Sequence, residues 1–73
     1  MLEMYVVYAH PSDYPHNYVL RRWVVTGAGD RLPDHDWFAL GATLEEVRAH
    51  VPVHCVRTER HPNDEPQIVE VWV

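Results

Sequence analysis

The sequence predicts an α+β fold, with a small antiparallel sheet of about four strands in the order β-β-α-β-β and one short helix packed on one face. Three features of the 73 residues predict it. Two stretches rich in β-branched and aromatic residues stand near the N-terminus, and two more precede the C-terminus. A helix-capping signal lies between the two pairs. No repeat, low-complexity stretch or linker divides the chain, so we expect residues 1–73 to form a single domain.

The first two strands are predicted over residues 4–9 and 18–26, on either side of a loop that carries two prolines. Side chains of the second strand alternate between the two faces of the sheet, and both faces are mostly apolar. Arg21 and Arg22 interrupt this pattern, one on each face. A strand that is apolar on both faces is expected at an interior position of the sheet.

The helix prediction depends on Thr43, which can cap a helix while Glu46, three residues later, reaches back to form a capping box. Val47 continues an apolar stripe along one face. Pro52 disfavours helical backbone at the residue before it, so the helix is predicted over residues 44–50.

The remaining segments are assigned from their turn residues and their apolar runs. Residues 27–36 form the longest polar stretch and contain two glycines, which indicates a turn. Residues 37–40 are predicted as a short strand or as an apolar plug over the core. Residues 53–60 are predicted as the third strand, 61–66 as a turn and 67–73 as the final strand.

Such a layout leaves one face of the sheet without a cover. A helix of about two turns is roughly 10 Å long, which is too short to cover both faces. Either the loops with Tyr14, Trp37 and Phe38 fold over the second face, or another protein does. Because small domains have little stability to spare, we favour a homodimer.

The charge balance excludes several classes of function. Six basic residues, all of them arginine, stand against eleven acidic ones and give a net charge of −5. Nonspecific nucleic-acid binding needs clustered positive charge, so nucleic acid is a disfavoured partner. The absence of lysine excludes Schiff-base and P-loop lysine chemistry.

The expected location is cytoplasmic, with no membrane association. The N-terminal residues lack the basic and long apolar regions of a signal peptide. No stretch approaches the roughly 20 apolar residues of a membrane helix. A single cysteine, Cys55, cannot form an internal disulfide.

Five residues are predicted to bind a partner: Arg21, Arg22, Trp23, Glu70 and Trp72. Tryptophan and arginine dominate protein interfaces, and the chain holds three tryptophans. Glu70 stands in an apolar strand and needs a partner, for which Arg21 or Arg22 is predicted. Trp23 is predicted to oppose Trp72. The alternative is structural, with tryptophan filling a small core and Glu70 in a cross-strand ion pair or facing solvent.

Metal ligands and nucleophiles have little support in the sequence. His50, His54 and Cys55 are the richest local set of ligand types, but Pro52 breaks the helical spacing of the two histidines. The single serine lacks a glycine elbow, and Cys55 fits a buried, inert thiol. We therefore predict no cofactor, no metal and no catalytic residue.

Several short motifs are spread over most of the chain: Tyr8–Pro15, Arg21–Trp23, Leu44–Arg48 up to Pro52, Arg60–Pro62, Asp64, Pro66, Ile68, Glu70 and Trp72. In these motifs the sequence resembles a family of small proteins of bacteria and their phages that has no assigned function. The resemblance implies a compact single domain of bacterial or phage origin. It carries over no activity, cofactor or site residue.

The sequence thus predicts a small, non-enzymatic protein-interaction or accessory module that forms a homodimer or binds a protein partner. Two alternatives stay open. One is a nucleic-acid binder that acts through its arginines and aromatic residues. The other is a small metal-binding or catalytic protein that uses its histidines and Cys55.

Overall fold

The computed structural model describes residues 2–58 and 66–73, apart from the side chain of His35. Its elements in chain order are β1 (Leu2–Ala9), β2 (Tyr18–Val25), β3 (Arg31–Gly41), α1 (Leu44–Arg48), β4 (Arg57–Thr58) and β5 (Ile68–Trp72). All neighbouring strands are antiparallel, in the sheet order β3-β2-β1-β5-β4. The predicted four-stranded β-β-α-β-β layout is therefore wrong: the described residues are richer in strand and follow the order β-β-β-α-β-β.

Strand β3 is the main reason for this difference. Of the turn predicted over residues 27–36, only the part before Arg31 is a turn. There the Gly29 amide donates to the Thr26 carbonyl at 2.9 Å, and Gly29 has a φ of 88°. The chain then pairs with β2 from Arg31 onwards. Polar residues and a proline are tolerated here because β3 is an edge strand. Residues 37–40, predicted as a strand or a plug, continue the same strand.

A wide bulge interrupts the pairing of β3 with β2. Trp23 of β2 pairs with Pro33, whereas Arg21 pairs with Phe38. Four residues of β3 therefore stand opposite Arg22 alone. Bulges bend a strand and redirect its side chains, and this one opens a gap between the two strands.

Helix α1 begins as predicted but ends earlier than predicted. The Thr43 hydroxyl accepts the Glu46 amide at 3.3 Å, while the Glu46 carboxylate accepts the Ala42 amide at 2.7 Å. The helix lies close to the sheet, since a Cβ added at Gly41 would be 2.8 Å from the Glu46 Cβ. Its Val47 side chain is fully buried.

The C-terminal strands are shorter than predicted. Of the predicted strand at 53–60, only Arg57–Thr58 is a described strand, because the Cys55 amide closes a turn on the Pro52 carbonyl at 3.0 Å. Strand β5 follows its predicted position and has a bulge between its pairings with Val7 and Tyr8 of β1. Residues 61–65 of the predicted turn lie outside the described residues.

The alternation of side chains gives the sheet two unlike faces. The helix face carries the core of Tyr5, Val7 and Leu20 packed against Val47. We call the opposite side the open face, because in the described part of the chain no helix lies on it. Its central residues come from β1, β2 and β5: Met4, Val6, Tyr8, Trp23, Ile68 and Val71.

The loops cover the open face only in part. Tyr14, in the loop after β1, reaches Phe38 on this face, with the two ring centroids 6.1 Å apart. Trp37 lies on the helix face instead, edge-on to Tyr5 at 5.3 Å. Of the three aromatic residues predicted to cover the second face, Trp37 therefore does not.

Candidate functional site

The open face combines a closed centre with an exposed apolar border. Val6 and Val19 are at most 3% exposed. Around them, Phe38 is 46% exposed, Leu40 39% and Leu2 56%. Large apolar side chains that meet water on one contiguous face are typical of a surface that contacts another molecule.

Two depressions mark the open face. The larger, about 420 Å³, lies at the bulge of β3 and is lined by residues that include Arg21, Arg22, Pro33 and Gln67. The smaller, about 140 Å³, is lined by residues that include Met4, Val6, Ile68 and Val71. Tyr8 and Trp23 border both depressions, which places these two aromatic rings at the middle of the face.

Arg21 links the loop after β1 to the open face. Its guanidinium contacts the Asp13 carboxylate at 2.8 Å and lies 5.9 Å from the centroid of the Phe38 ring. The loop turns at His10, which has a φ of 50° and whose Nδ1 lies 3.1 Å from the Pro15 carbonyl oxygen. The positive charge of Arg21 is therefore neutralised by Asp13 and makes a cation–π contact with the Phe38 ring.

Arg22 points to the helix face and is held there by several groups. Its Nε donates to the Asp34 carboxylate at 2.9 Å, and its guanidinium lies 5.7 Å from the Trp37 ring centroid. A weaker ion pair joins it to Glu3 at 3.9 Å. The hydrogen bond that Arg22 donates to Asp34 raises the pKa of Arg22, and burial raises the pKa of Tyr5 nearby. The bulge of β3 thus serves to bring Asp34 against Arg22.

Glu70 forms a separate network on the helix face. Its side chain is buried, and Arg48 Nε donates to its two oxygens at 3.0 and 3.1 Å. Arg57 and the Trp72 indole add contacts of 3.3 Å each. The hydrogen bond from Arg48 lowers the pKa of Glu70 and outweighs burial, which acts in the opposite direction.

The predicted pairing of Glu70 with Arg21 or Arg22 is wrong. Strand β1 lies between β5 and β2, and Glu70 stands opposite Val7 of β1. The cation that reaches Glu70 comes from the helix, which the sequence alone does not place. Sequence reasoning missed Arg48, although its position in the last turn of a helix above the sheet is a signal of such a contact.

The five predicted partner-binding residues divide between the two faces. Arg21 and Trp23 lie on the open face, whereas Arg22, Glu70 and Trp72 lie on the helix face. Trp23 pairs with Met4 and Trp72 with Tyr5, so the two tryptophans do not oppose each other. The structure does bring one run together, because Arg21, Arg22 and Trp23 all line the larger depression.

The open face also holds residues that sequence reasoning did not select. Tyr8 and Gln67 line the larger depression with Trp23. The Trp23 indole nitrogen is buried and has no hydrogen-bond partner in the structure. Buried donors are normally paired, so this nitrogen is one of the few places where the described chain leaves a polar atom unsatisfied.

Among the described residues, no group of three or more His, Cys, Asp or Glu side chains is placed to hold a metal ion. Cys55 is half-buried, and burial raises the pKa of its thiol. A raised pKa lowers the share of thiolate at neutral pH, which is the opposite of what a nucleophilic cysteine requires.

Comparisons of the chain with protein-family models, with curated proteins and with solved structures found no match. Among the helices in the described ranges, none has the length and apolar character needed to cross a bilayer.

Proposed function

We propose that the protein is a small, non-enzymatic interaction module that binds another protein chain with its open face. The observation that carries this proposal is the exposed apolar border of that face, at Leu2, Phe38 and Leu40. Burial of apolar area is the main source of protein association. The two aromatic rings at the centre, Tyr8 and Trp23, are of the type that anchors interfaces.

Nucleic-acid binding through the arginines has less support. Arg21, Arg22, Arg48 and Arg57 each contact a carboxylate of the same chain. An arginine that binds phosphate would have to give up this contact. The net charge of −5 adds a general repulsion of polyanions.

Catalysis also has less support, because the perturbed groups are committed to internal contacts. The Glu70 carboxylate accepts hydrogen bonds from Arg48, Arg57 and Trp72, which stabilise its charged form. A general acid or base needs a pKa near the working pH, and the contacts move this pKa away from it. Cys55 is shifted toward the unreactive thiol.

Site-specific photo-crosslinking tests the proposal. The photoreactive residue p-benzoylphenylalanine is placed at Phe38 on the open face and, as a matched control, at Val53, which is fully exposed in the turn after the helix. Both variants are expressed in cells of the source organism and irradiated. We expect a discrete protein adduct from position 38 and none from position 53.

Two results would contradict the proposal. The first is the absence of any protein adduct from position 38 in a variant that keeps the circular dichroism spectrum of the wild type. The second is an equal set of adducts from positions 38 and 53, because random collision does not distinguish the open face from an exposed turn.

A further inference from the structure

We infer that the occupant of the open face is a second copy of this chain, packed face to face across a two-fold axis. This inference rests on the proposed function, since it names the partner of the same surface. Three properties of the described residues support it: the area of the face, the pairing of its carboxylates with arginines, and the positions of the charged groups on the two sides of Trp23.

The area of the open face matches a small, reversible dimer. The face spans four strands, β3, β2, β1 and β5, and the two central strands are 8 residues long. At about 4.8 Å between strands and about 3.3 Å per residue, the flat area is roughly 500 Å². Because Val6 and Val19 are already buried in one chain, two copies would bury at most about 1,000 Å², near the lower limit for specific protein interfaces.

The distribution of charge allows two acidic chains to meet at this face. The carboxylates of Glu3, Glu70, Glu45 and Glu46 lie on strands or on the helix at the helix face. On the open face the negative charge of Asp13 is paired with Arg21. Both acidic residues that line its larger depression, Asp13 and Asp34, are therefore paired with arginines of the same chain, which reduces the repulsion between two chains of net charge −5 at the contact. Salt screens more distant charges within about 8 Å.

Complementary charges lie on the two sides of Trp23 along β2. Arg21, in the middle of β2, holds Asp13 on one side, while Val25, at the end of the strand, pairs with the exposed Arg31 on the other. Trp23 lies midway between Arg21 and Val25. A two-fold axis that lies between the two sheets over Trp23, perpendicular to the strands, would bring Arg31 near the partner's Arg21–Asp13 pair and each Trp23 near the partner's Trp23. Such a contact is isologous, as expected for a homodimer.

Sedimentation equilibrium over a range from micromolar to near-millimolar protein tests this inference. We expect the wild-type mass to rise with concentration from 8.6 kDa toward twice that value. Val71→Arg places a charge on the open face beside Val6 and should raise the dissociation constant about tenfold or more. Val53→Arg adds the same charge in an exposed turn and should leave the dissociation constant unchanged.

Val71 is half-buried, so Val71→Arg could prevent folding. A second pair of variants therefore keeps the inference testable. If Val71→Arg unfolds, Phe38→Ser is measured, since Phe38 is already 46% exposed and its replacement removes apolar area together with the ring contacts to Arg21 and Tyr14. Arg31→Glu reverses the charge at one end of β2 and should weaken association several-fold at low salt, with a smaller effect at high salt.

The outcomes separate this inference from the proposed function. A wild-type mass of 8.6 kDa at the highest concentration overturns the homodimer. The proposed function then stands if the crosslink from position 38 joins the chain to a different protein, and it fails if that position gives no adduct. A dimer that Val53→Arg weakens as much as the open-face variants also overturns the inference, because the contact is then made elsewhere.

Discussion

Replacing Arg48 by methionine is the sharpest test of how the helix is joined to the sheet. Methionine keeps most of the aliphatic length and removes the guanidinium. The Glu70 carboxylate would then keep only its contacts at 3.3 Å with Arg57 and with the Trp72 indole. Because Glu70 is 4% exposed, water cannot easily replace the lost donors. The folded state is expected to lose stability.

The size of this loss follows from the contacts. Hydrogen bonds to charged groups contribute about 1.5–3 kcal/mol, and the Arg48 side chain is 37% exposed, which favours the lower part of that range. We expect the free energy of unfolding to fall by about 2 kcal/mol. A domain of this length has roughly 4–11 kcal/mol in total. The melting temperature should therefore fall by about 8–16 °C.

The assay is urea and thermal unfolding followed by circular dichroism at neutral pH, with Arg57→Met as the matched control. Arg57 makes one contact of 3.3 Å to the same carboxylate and is 59% exposed, so its loss should cost less than about 1 kcal/mol. A double-mutant cycle that combines Arg48→Met with Glu70→Gln measures the coupling free energy between Arg48 and Glu70. An Arg48→Met variant as stable as Arg57→Met would refute this account of the network.

The pH dependence provides an independent check. Arg48 lowers the pKa of Glu70 below its ordinary value of 4.5, so this pair stabilises the fold fully above that value. The contribution is lost as the pH falls from 4.5 through the lower pKa of the folded state. In Arg48→Met this part of the acid destabilisation should be smaller than in the wild type, and an unchanged acid profile would count against the pair.

Three further predictions concern the local structure around the helix and the thiol. Gly41→Ala places a Cβ 2.8 Å from the Glu46 Cβ and should cost about 1–3 kcal/mol in an unfolding experiment, whereas Gly27→Ala meets nothing within 4 Å and should be neutral. Thr43→Ala removes the helix cap and should cost about 1 kcal/mol, with Thr43→Ser retaining most of the stability. Because burial raises the pKa of Cys55, its alkylation at mildly alkaline pH should be slower than that of a short cysteine peptide. In urea the alkylation rate should rise to that of the peptide. Equal rates in the absence of urea would show that the thiol is not shielded.

Local signals in the sequence were sufficient for part of the fold. Strands β1, β2 and β5 have the dense β-branched and aromatic composition that needs no tertiary information to interpret. The start of the helix depends on Thr43, whose hydroxyl contacts a backbone amide three residues away. Strand β3 could not be predicted in the same way, because Pro33 and Asp34 are typical of turns and are tolerated there only by the edge position and the bulge.

The site was less predictable, because its contacts depend on strand order. Composition correctly indicated that Glu70 needs a cation, but the order β2-β1-β5 excludes Arg21 and Arg22 as its partners. The segment Arg21–Trp23 was selected from its residue types, and the position of its three residues at the border of one depression follows from the bulge. A period-2 pattern assigns residues to faces and does not determine which strands are neighbours.

The two faces of the sheet are covered by different kinds of side chain. This difference is the strongest reason to expect a partner. Helix α1 has five residues and is about 7.5 Å long, so the helix face is completed by tryptophan rings and by arginines neutralised at Asp34 and Glu70. The open face has half-buried apolar residues at the corresponding positions, including Met4, Ile68 and Val71. An antiparallel sheet face that stays in water is normally polar at such positions. The open face therefore has the composition of a surface that another chain removes from water, and face-to-face packing of two such sheets about 10 Å apart is a common way to do so.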